Sequence, residues 1–159
     1  MPDQSGQAYG EQLTFYADWQ KQEKRRTGLN VQYVSSRKGE LALAFEVAPI
    51  ARTGQPPDWS RKITVHLSGE ELVELCAVLL GCQEELQAMY HGDAHNKGMQ
   101  VRAKPGVGAW LGLSQAGANL QFVLSPAQRM SLSAFSLRRL AQAWQVPVQA
   151  AIEIIRASK

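Results

Sequence analysis

The chain has little with which to support several kinds of chemistry. It holds only two cysteines, Cys76 and Cys82, and their spacing of six makes neither a redox pair nor a zinc knuckle. Both are expected as reduced thiols in or near the core. No apolar run approaches the roughly 18 residues that a membrane span needs. Met1 to Gly10 is polar and has no apolar signal core, so residues 1–10 are expected as a flexible tail. A cytoplasmic, nucleoid-associated location is the matching expectation, with no membrane partner. No serine stands in a nucleophile elbow, and no histidine has an evident cysteine or serine to activate. Gly106, Gly108 and Gly112 do not precede a helix, so they form no phosphate loop and read as hairpin glycines. His91-Gly92-Asp93-Ala94-His95 offers metal-type side chains, yet it reads as a turn and lacks a fourth ligand. The expectation is a protein that is not an enzyme and carries no metal or cofactor.

Acid is scarce in one half of the chain. Residues 86–159 hold eight Lys or Arg and two Asp or Glu, a balance of +6. Residues 1–85 hold nine and twelve, a balance of −3. Glu70, Glu71, Glu74, Glu84 and Glu85 crowd in or beside the first helical pattern, which therefore suits no polyanion. Much basic charge falls instead in strand-like or loop segments, at Arg37, Lys38, Arg61, Lys62, Lys97, Arg102 and Lys104. A basic sheet backed by an acidic helix is consistent with nucleic-acid binding, and equally with solvated surface charge.

What is present is a pattern stated twice. Lys38-Gly39 opens one alternating apolar run, and Lys97-Gly98 opens another 59 positions later. Val65-His66-Leu67-Ser68 runs into a helical pattern, and Phe122-Val123-Leu124-Ser125 does so 57 positions later. The two offsets imply a duplicated unit of about four antiparallel strands followed by a helix, an α+β fold. The helices would cover one sheet face and leave the other open to something extended.

Along the chain, Gln12–Trp19 and Leu29–Ser35 read as strands. Leu41, Leu43, Phe45 and Val47 alternate with Ala42, Ala44, Glu46 and Ala48, which places the larger set toward a core. Lys62–Leu67 leads to Ser68 and Glu71, spaced as a capping box for a helix with Leu72, Leu75, Cys76 and Leu79 inward. Residues 86–91, 99–104, 109–115 and 120–124 supply the second set of strands. Ser125-Pro126 starts the second helix, with Met130, Ala134, Leu137, Ala141 and Trp144 as its expected buried stripe. Val146-Pro147 interrupts it, and Val148 to Ala157 reads as one extra short helix. The expected organisation is a tail over 1–10, a binding domain over 11–145 and a helical extension over 146–159.

Aromatic residues fall in or beside the strand-like segments. Those on an open face, interleaved with cations, would suit unpaired bases and their phosphates. Tyr33, Trp59 and Trp110 are the stacking candidates. Trp59 has a second reading, as an anchor of the proline-rich loop whose turn Asp58 and Ser60 would fix.

Asp58-Trp59-Ser60-Arg61-Lys62, then a strand, then Leu67-Ser68 and an apolar helix, resembles the corresponding stretch of the plant Whirly proteins. Tyr90-His91-Gly92-Asp93 with its lysine-glycine turn, and Ser133-Ala134-Phe135, are similar to later Whirly segments. The resemblance spans roughly residues 12–144. It implies two four-stranded antiparallel sheets, each followed by a helix. That fold is shared with the positive cofactor four coactivators and with mitochondrial guide-RNA-binding proteins. It also implies homotetramers that bind single-stranded DNA with little sequence preference. A role in DNA metabolism, such as recombination, or in transcription is the matching expectation. The Lys-Gly-Lys-Ala-Ala-Leu motif of the plant proteins is missing. WQKQEKRR stands there, from Trp19 to Arg26, which puts higher assembly and the binding mode in doubt. A bacterial or phage-like relative is the expectation, and RNA is not separated from DNA.

Two other classes compete. Arg138 to Val148 resembles a helix-turn-helix hinge, as in a regulator that binds duplex DNA. A non-catalytic interaction protein on the same fold is the third.

Overall fold

The computed structural model describes residues 10–16, 26–52, 54–104 and 106–158. The expected tail up to Tyr9, the end of the first expected strand beyond Tyr16 and the WQKQEKRR segment up to Arg25 lie outside the described residues. Two four-stranded antiparallel sheets form the frame. The first runs β1 (Gln12–Tyr16), β2 (Thr27–Ser35), β3 (Leu41–Pro49) and β4 (Ile63–Ser68), in that order across the sheet. Helix α1 (Gly69–Leu79) follows. The second runs β5 (Glu85–His91), β6 (Lys97–Ala103), β7 (Ala109–Gln115) and β8 (Ala118–Leu124), and α2 (Pro126–Trp144) follows. A shorter α3 (Val148–Ala157) ends the described chain. The duplicated strand-and-helix unit expected from the sequence is the observed architecture, and the extra helix is present.

Alternation decides what each sheet buries. Across the first sheet, Phe15, Leu29, Val47 and Ile63 stand in register, and Leu13, Val31, Phe45 and Val65 form the next row. Across the second, Leu86, Val101, Leu111 and Phe122 make the matching row. These rows, with Leu72, Leu75, Leu132 and Leu140 from the helices, share one apolar core. The rings of Phe15 and Phe122 meet across it at 6.4 Å between centroids. Cys76 is fully buried, and burial pushes its thiol pKa up to about 12. Cys82 is partly buried.

Two local expectations fail for physical reasons. Ser68 makes no side-chain cap for α1. It is still paired with Ala42 in the sheet, and Gly69 turns the chain with φ +56°. Glu71 is also engaged elsewhere, by the His91 ring at 2.8 Å. In α2, Met130 and Ala134 face solvent, while Arg129, Ser136 and Arg139 are buried with Leu132, Phe135 and Leu140. A pattern that counts arginine as surface misplaces this helix's inner stripe. At the other end of α2's first turn the expected cap is present, with Ser125 and Gln128 bonded reciprocally.

The two buried arginines act as struts. The Arg129 guanidinium donates to the carbonyls of Leu79 at the end of α1 and of Lys104, Val107 and Gly108 in the β6–β7 turn. Arg139 donates to the Ala42 carbonyl at 3.1 Å and to that of Val34, which ties α2 to the β2–β3 hairpin. Burial lowers the Arg139 pKa. Both cations therefore leave the surface charge budget of the basic half.

Candidate nucleic-acid interface

Each sheet has a second face opposite the core. On the first sheet, Thr14, Asn30, Glu46 and Thr64 form one polar row, and Gln12, Gln32, Ala44 and His66 form the next. On the second sheet, Glu85, Arg102, Trp110 and Val123 make one row, and Gln87, Gln100, Gly112 and Gln121 another. Leaving aside Val123, Ala44 and Gly112, these rows are polar, charged or aromatic.

Both faces carry an indole laid against the sheet at a glycine. Trp110 folds back along β7 over Gly112, where an added Cβ would lie 2.8 Å from the far edge of the ring. Gly112 thus serves as clearance in mid-strand, whereas Gly106, with φ +76°, is the turn glycine. The Trp110 indole N–H donates to the Gln121 side chain at 3.3 Å, and the Arg102 guanidinium lies 5.6 Å from the ring centroid. Arg102 also pairs with Glu85 at 3.3 Å.

Trp59 opens a short 3-10 turn, Trp59–Arg61, that delivers the chain into β4. Asp58 accepts from the Ser60 backbone N–H and hydroxyl, which fixes that turn. The Trp59 ring edge lies over Gly28 beside Pro57, within 3.6 Å of where a Cβ would sit. Trp59 is half-buried, so it both anchors the loop and presents a ring at the edge of the open face. Lys62 follows on that face and is ion-paired with Glu46.

The sequence candidates fall into separate groups. Trp59, Arg61 and Lys62 stand at one end of the first sheet's open face. Trp110, Arg102 and the exposed Lys104 stand on the second sheet or at its turn. Arg37 and Lys38 lie exposed in the β2–β3 turn, where Arg37 reaches Asp93 of the β5–β6 turn at 3.5 Å. Lys97 belongs with these hairpin tips. It shares the alternation of Met99 and Val101, and its stem packs under Gly92.

Tyr33 requires correction as a stacking candidate. It lies on the core face at 4% exposure, with its hydroxyl donating to the Phe135 carbonyl at 2.7 Å. Arg139 covers its ring at 4.7 Å. Tyr16 is instead a ring that the first sheet does expose. It is 51% exposed on the open face, and the inward Leu13 and Phe15 signal its direction by alternation alone. Asn30 and Glu46 lie on this face as well, and the β3 alternation already places Glu46 in the outer set. His66 lies on this face too, and burial, with Lys97 nearby, lowers its pKa below the usual imidazole value.

The helix-turn-helix segment has a different setting. Gln145 closes α2 in a left-handed conformation, and α3 packs back through Ala151 and Ile155. Its solvent side carries Gln149, Glu153, Ile154 and Arg156, one acid against one cation. Among the described residues no helix is long and apolar enough to cross a membrane.

Comparison with solved structures finds this fold elsewhere. A guide-RNA-binding protein complex bound to its RNA matches with a TM-score of 0.60 at 14% identity, over 86% of this chain and 93% of that one. The Trypanosoma brucei MRP1/MRP2 structure matches at 0.57 and 15% identity, over 86% and 87%. The plant transcriptional regulator PBF-2 matches at 0.56 and 17% identity, over 85% and 90%. The chain therefore has a Whirly-like fold, like that of PBF-2. No protein-family model matches the sequence, and no curated protein matches it.

Proposed function

We propose that this chain binds single-stranded nucleic acid, DNA in the first instance, across the open faces of its two sheets. The carrying observation is that each face holds an indole against the sheet beside a cation, Trp59 with Lys62 and Trp110 with Arg102. Rings offer a stacking surface to any unpaired base, and cations neutralise phosphate. Duplex DNA hides its base faces and gains nothing from such rings. The solved neighbours include a complex with guide RNA and a transcriptional regulator, which supports a nucleic-acid partner on this fold. The role is a non-catalytic one in DNA metabolism or transcription, with affinity mainly from phosphates and stacking.

The test is fluorescence anisotropy with oligothymidine, its uridine counterpart and a duplex, at two salt concentrations. Binding to the single strand is expected to weaken steeply with salt, with log K falling by about 0.7 per log unit of salt for each phosphate neutralised. Salt-insensitive binding, or preference for the duplex, overturns the proposal. A clear preference for the uridine strand would move the partner to RNA.

Self-association belongs to the same proposal. β1, β4, β5 and β8 are edge strands, and unpaired edges invite cover. Met130 and Ile154 add exposed apolar side chains on α2 and α3. A homotetramer is the first expectation and a dimer the second. Light scattering at micromolar concentration checks it, and a monomer refutes it.

A further inference from the structure

A carboxylate in the middle of a surface that meets phosphates is electrostatically out of place. Glu46 occupies such a position, at the centre of the first sheet's open face. Its side chain is only 16% exposed, against 41% for Lys62. It is also held in one orientation. The Asn30 amide donates to Oε1 at 3.2 Å, and Thr64 donates to Oε2 at 3.4 Å. Lys62 donates to Oε2 as well. Thr14 in turn donates to the Asn30 amide oxygen at 2.8 Å, which fixes which way that amide points. A recess of about 250 Å³ lies over this network, walled by Trp59 and Tyr16 with Gln12 at its margin.

We infer that this recess reads the hydrogen-bonding edge of one unpaired guanine. The inference deepens the single-strand reading and rests on it. Side by side, Lys62 and Glu46 present a donor followed by carboxylate acceptors. The Watson–Crick edge of guanine offers the complement, a carbonyl acceptor at O6 followed by N–H donors at N1 and N2. The Lys62 ammonium has three donors, so it can hold Glu46 and O6 together. The carboxylate has about four acceptor positions, of which Asn30, Lys62 and the long Thr64 contact occupy three. Release of Thr64 leaves two, enough for N1–H and N2–H. Thymine, cytosine and adenine each turn a single donor group toward the carboxylate, so none fills both of its positions as guanine does. Trp59 or Tyr16 supplies the stacking surface that holds the base.

The experiment compares short oligothymidine with the same strand carrying one central dG, dI, dA or dC. The dG strand is expected to bind about fivefold or more tighter than plain oligothymidine and the dA and dC strands, within the range of one bidentate base contact. The dI strand, which lacks the 2-amino group, should fall between. Glu46→Gln should abolish the dG preference while binding plain oligothymidine more tightly, because a negative charge is removed. Glu46→Asp keeps the charge, draws it back by one methylene and should lose the preference too. Glu85→Gln removes the other open-face carboxylate and should raise affinity for every strand with the dG preference intact. Equal binding of all strands by the parent overturns this inference alone, as does a dG preference that survives Glu46→Gln. Binding to none of them overturns the single-strand reading and the inference with it.

Discussion

Arg129→Met is expected to cost about 3–5 kcal/mol of folding stability, the range for stripping one side from a buried charged network. Arg129 is 8% exposed and its guanidinium donates to backbone carbonyls. The Leu79 carbonyl belongs to the last turn of α1, where carbonyls have no partner within the helix. A cation at that end also meets the negative pole of the helix dipole. The Lys104, Val107 and Gly108 carbonyls belong to the β6–β7 turn, so one side chain secures a helix end and a hairpin together. Methionine fills similar space and donates nothing, and each buried acceptor left open costs about 1–3 kcal/mol before relaxation. At about 2–4 °C per kcal/mol for a chain of this length, melting should fall by roughly 10 °C. Arg129→Lys should recover only part, because an ammonium lacks the planar fork that reaches both segments. Arg138→Ala is the comparison. Its partner Glu11 is an exposed surface pair at 3.1 Å, worth about 1 kcal/mol or less. Scanning calorimetry decides, and a melting point for Arg129→Met within a degree or two of the parent would refute the strut.

Such struts explain what the sequence could and could not disclose. Strand order, the duplication and most inward rows follow from period-two alternation, which Leu43, Phe45 and Val47 display without interference. The error in α2 has another origin. Arg129 and Arg139 are polar in the sequence and interior in the fold, because carbonyls from distant segments converge on them. Nothing within a helical window records that convergence. Tyr33 fails for a related reason. Its strand follows from the alternation, but a stacking role needs the open face, whereas Leu29 and Val31 set an inward parity that Tyr33 shares. The outward direction of Tyr16 follows from Leu13 and Phe15 by the same rule. The pairing of Lys62 with Glu46 lies further out of reach, because it depends on the register of β3 against β4, with Glu46 opposite Thr64. Register is fixed by the whole sheet. The Whirly resemblance anticipated the fold through Asp58 to Lys62. The same segment proves to be a turn that carries an indole to the edge of the open face.

Replacing both open-face indoles should remove most of the stacking contribution to binding. Trp59→Ala and Trp110→Ala should each weaken oligothymidine binding by about 1–3 kcal/mol. If one strand reaches both sheets, the double variant should lose about 2–6 kcal/mol, because well-separated sites add. The two positions differ in their effect on stability. Trp110 lies over its own strand and bonds Gln121, so its loss should leave melting nearly unchanged. Trp59 also touches Gly28 and Pro57 and should lower melting modestly, by less than the roughly 3–5 kcal/mol of a fully buried tryptophan. Phenylalanine at either site should restore much of the affinity, since a ring rather than an N–H is what a base requires. Tyr33→Phe should leave affinity untouched, because that ring faces the core. The salt dependence separates rings from cations. The tryptophan variants should keep the parent slope of log K against log salt. Arg61→Ala with Lys62→Ala should flatten it, as should Arg102→Ala, because each lost phosphate contact removes about 0.7 from a single-strand slope. A double tryptophan variant that folds and binds oligothymidine as tightly as the parent would remove stacking from the site. Cation variants with an unchanged slope would remove the open faces from the interface altogether.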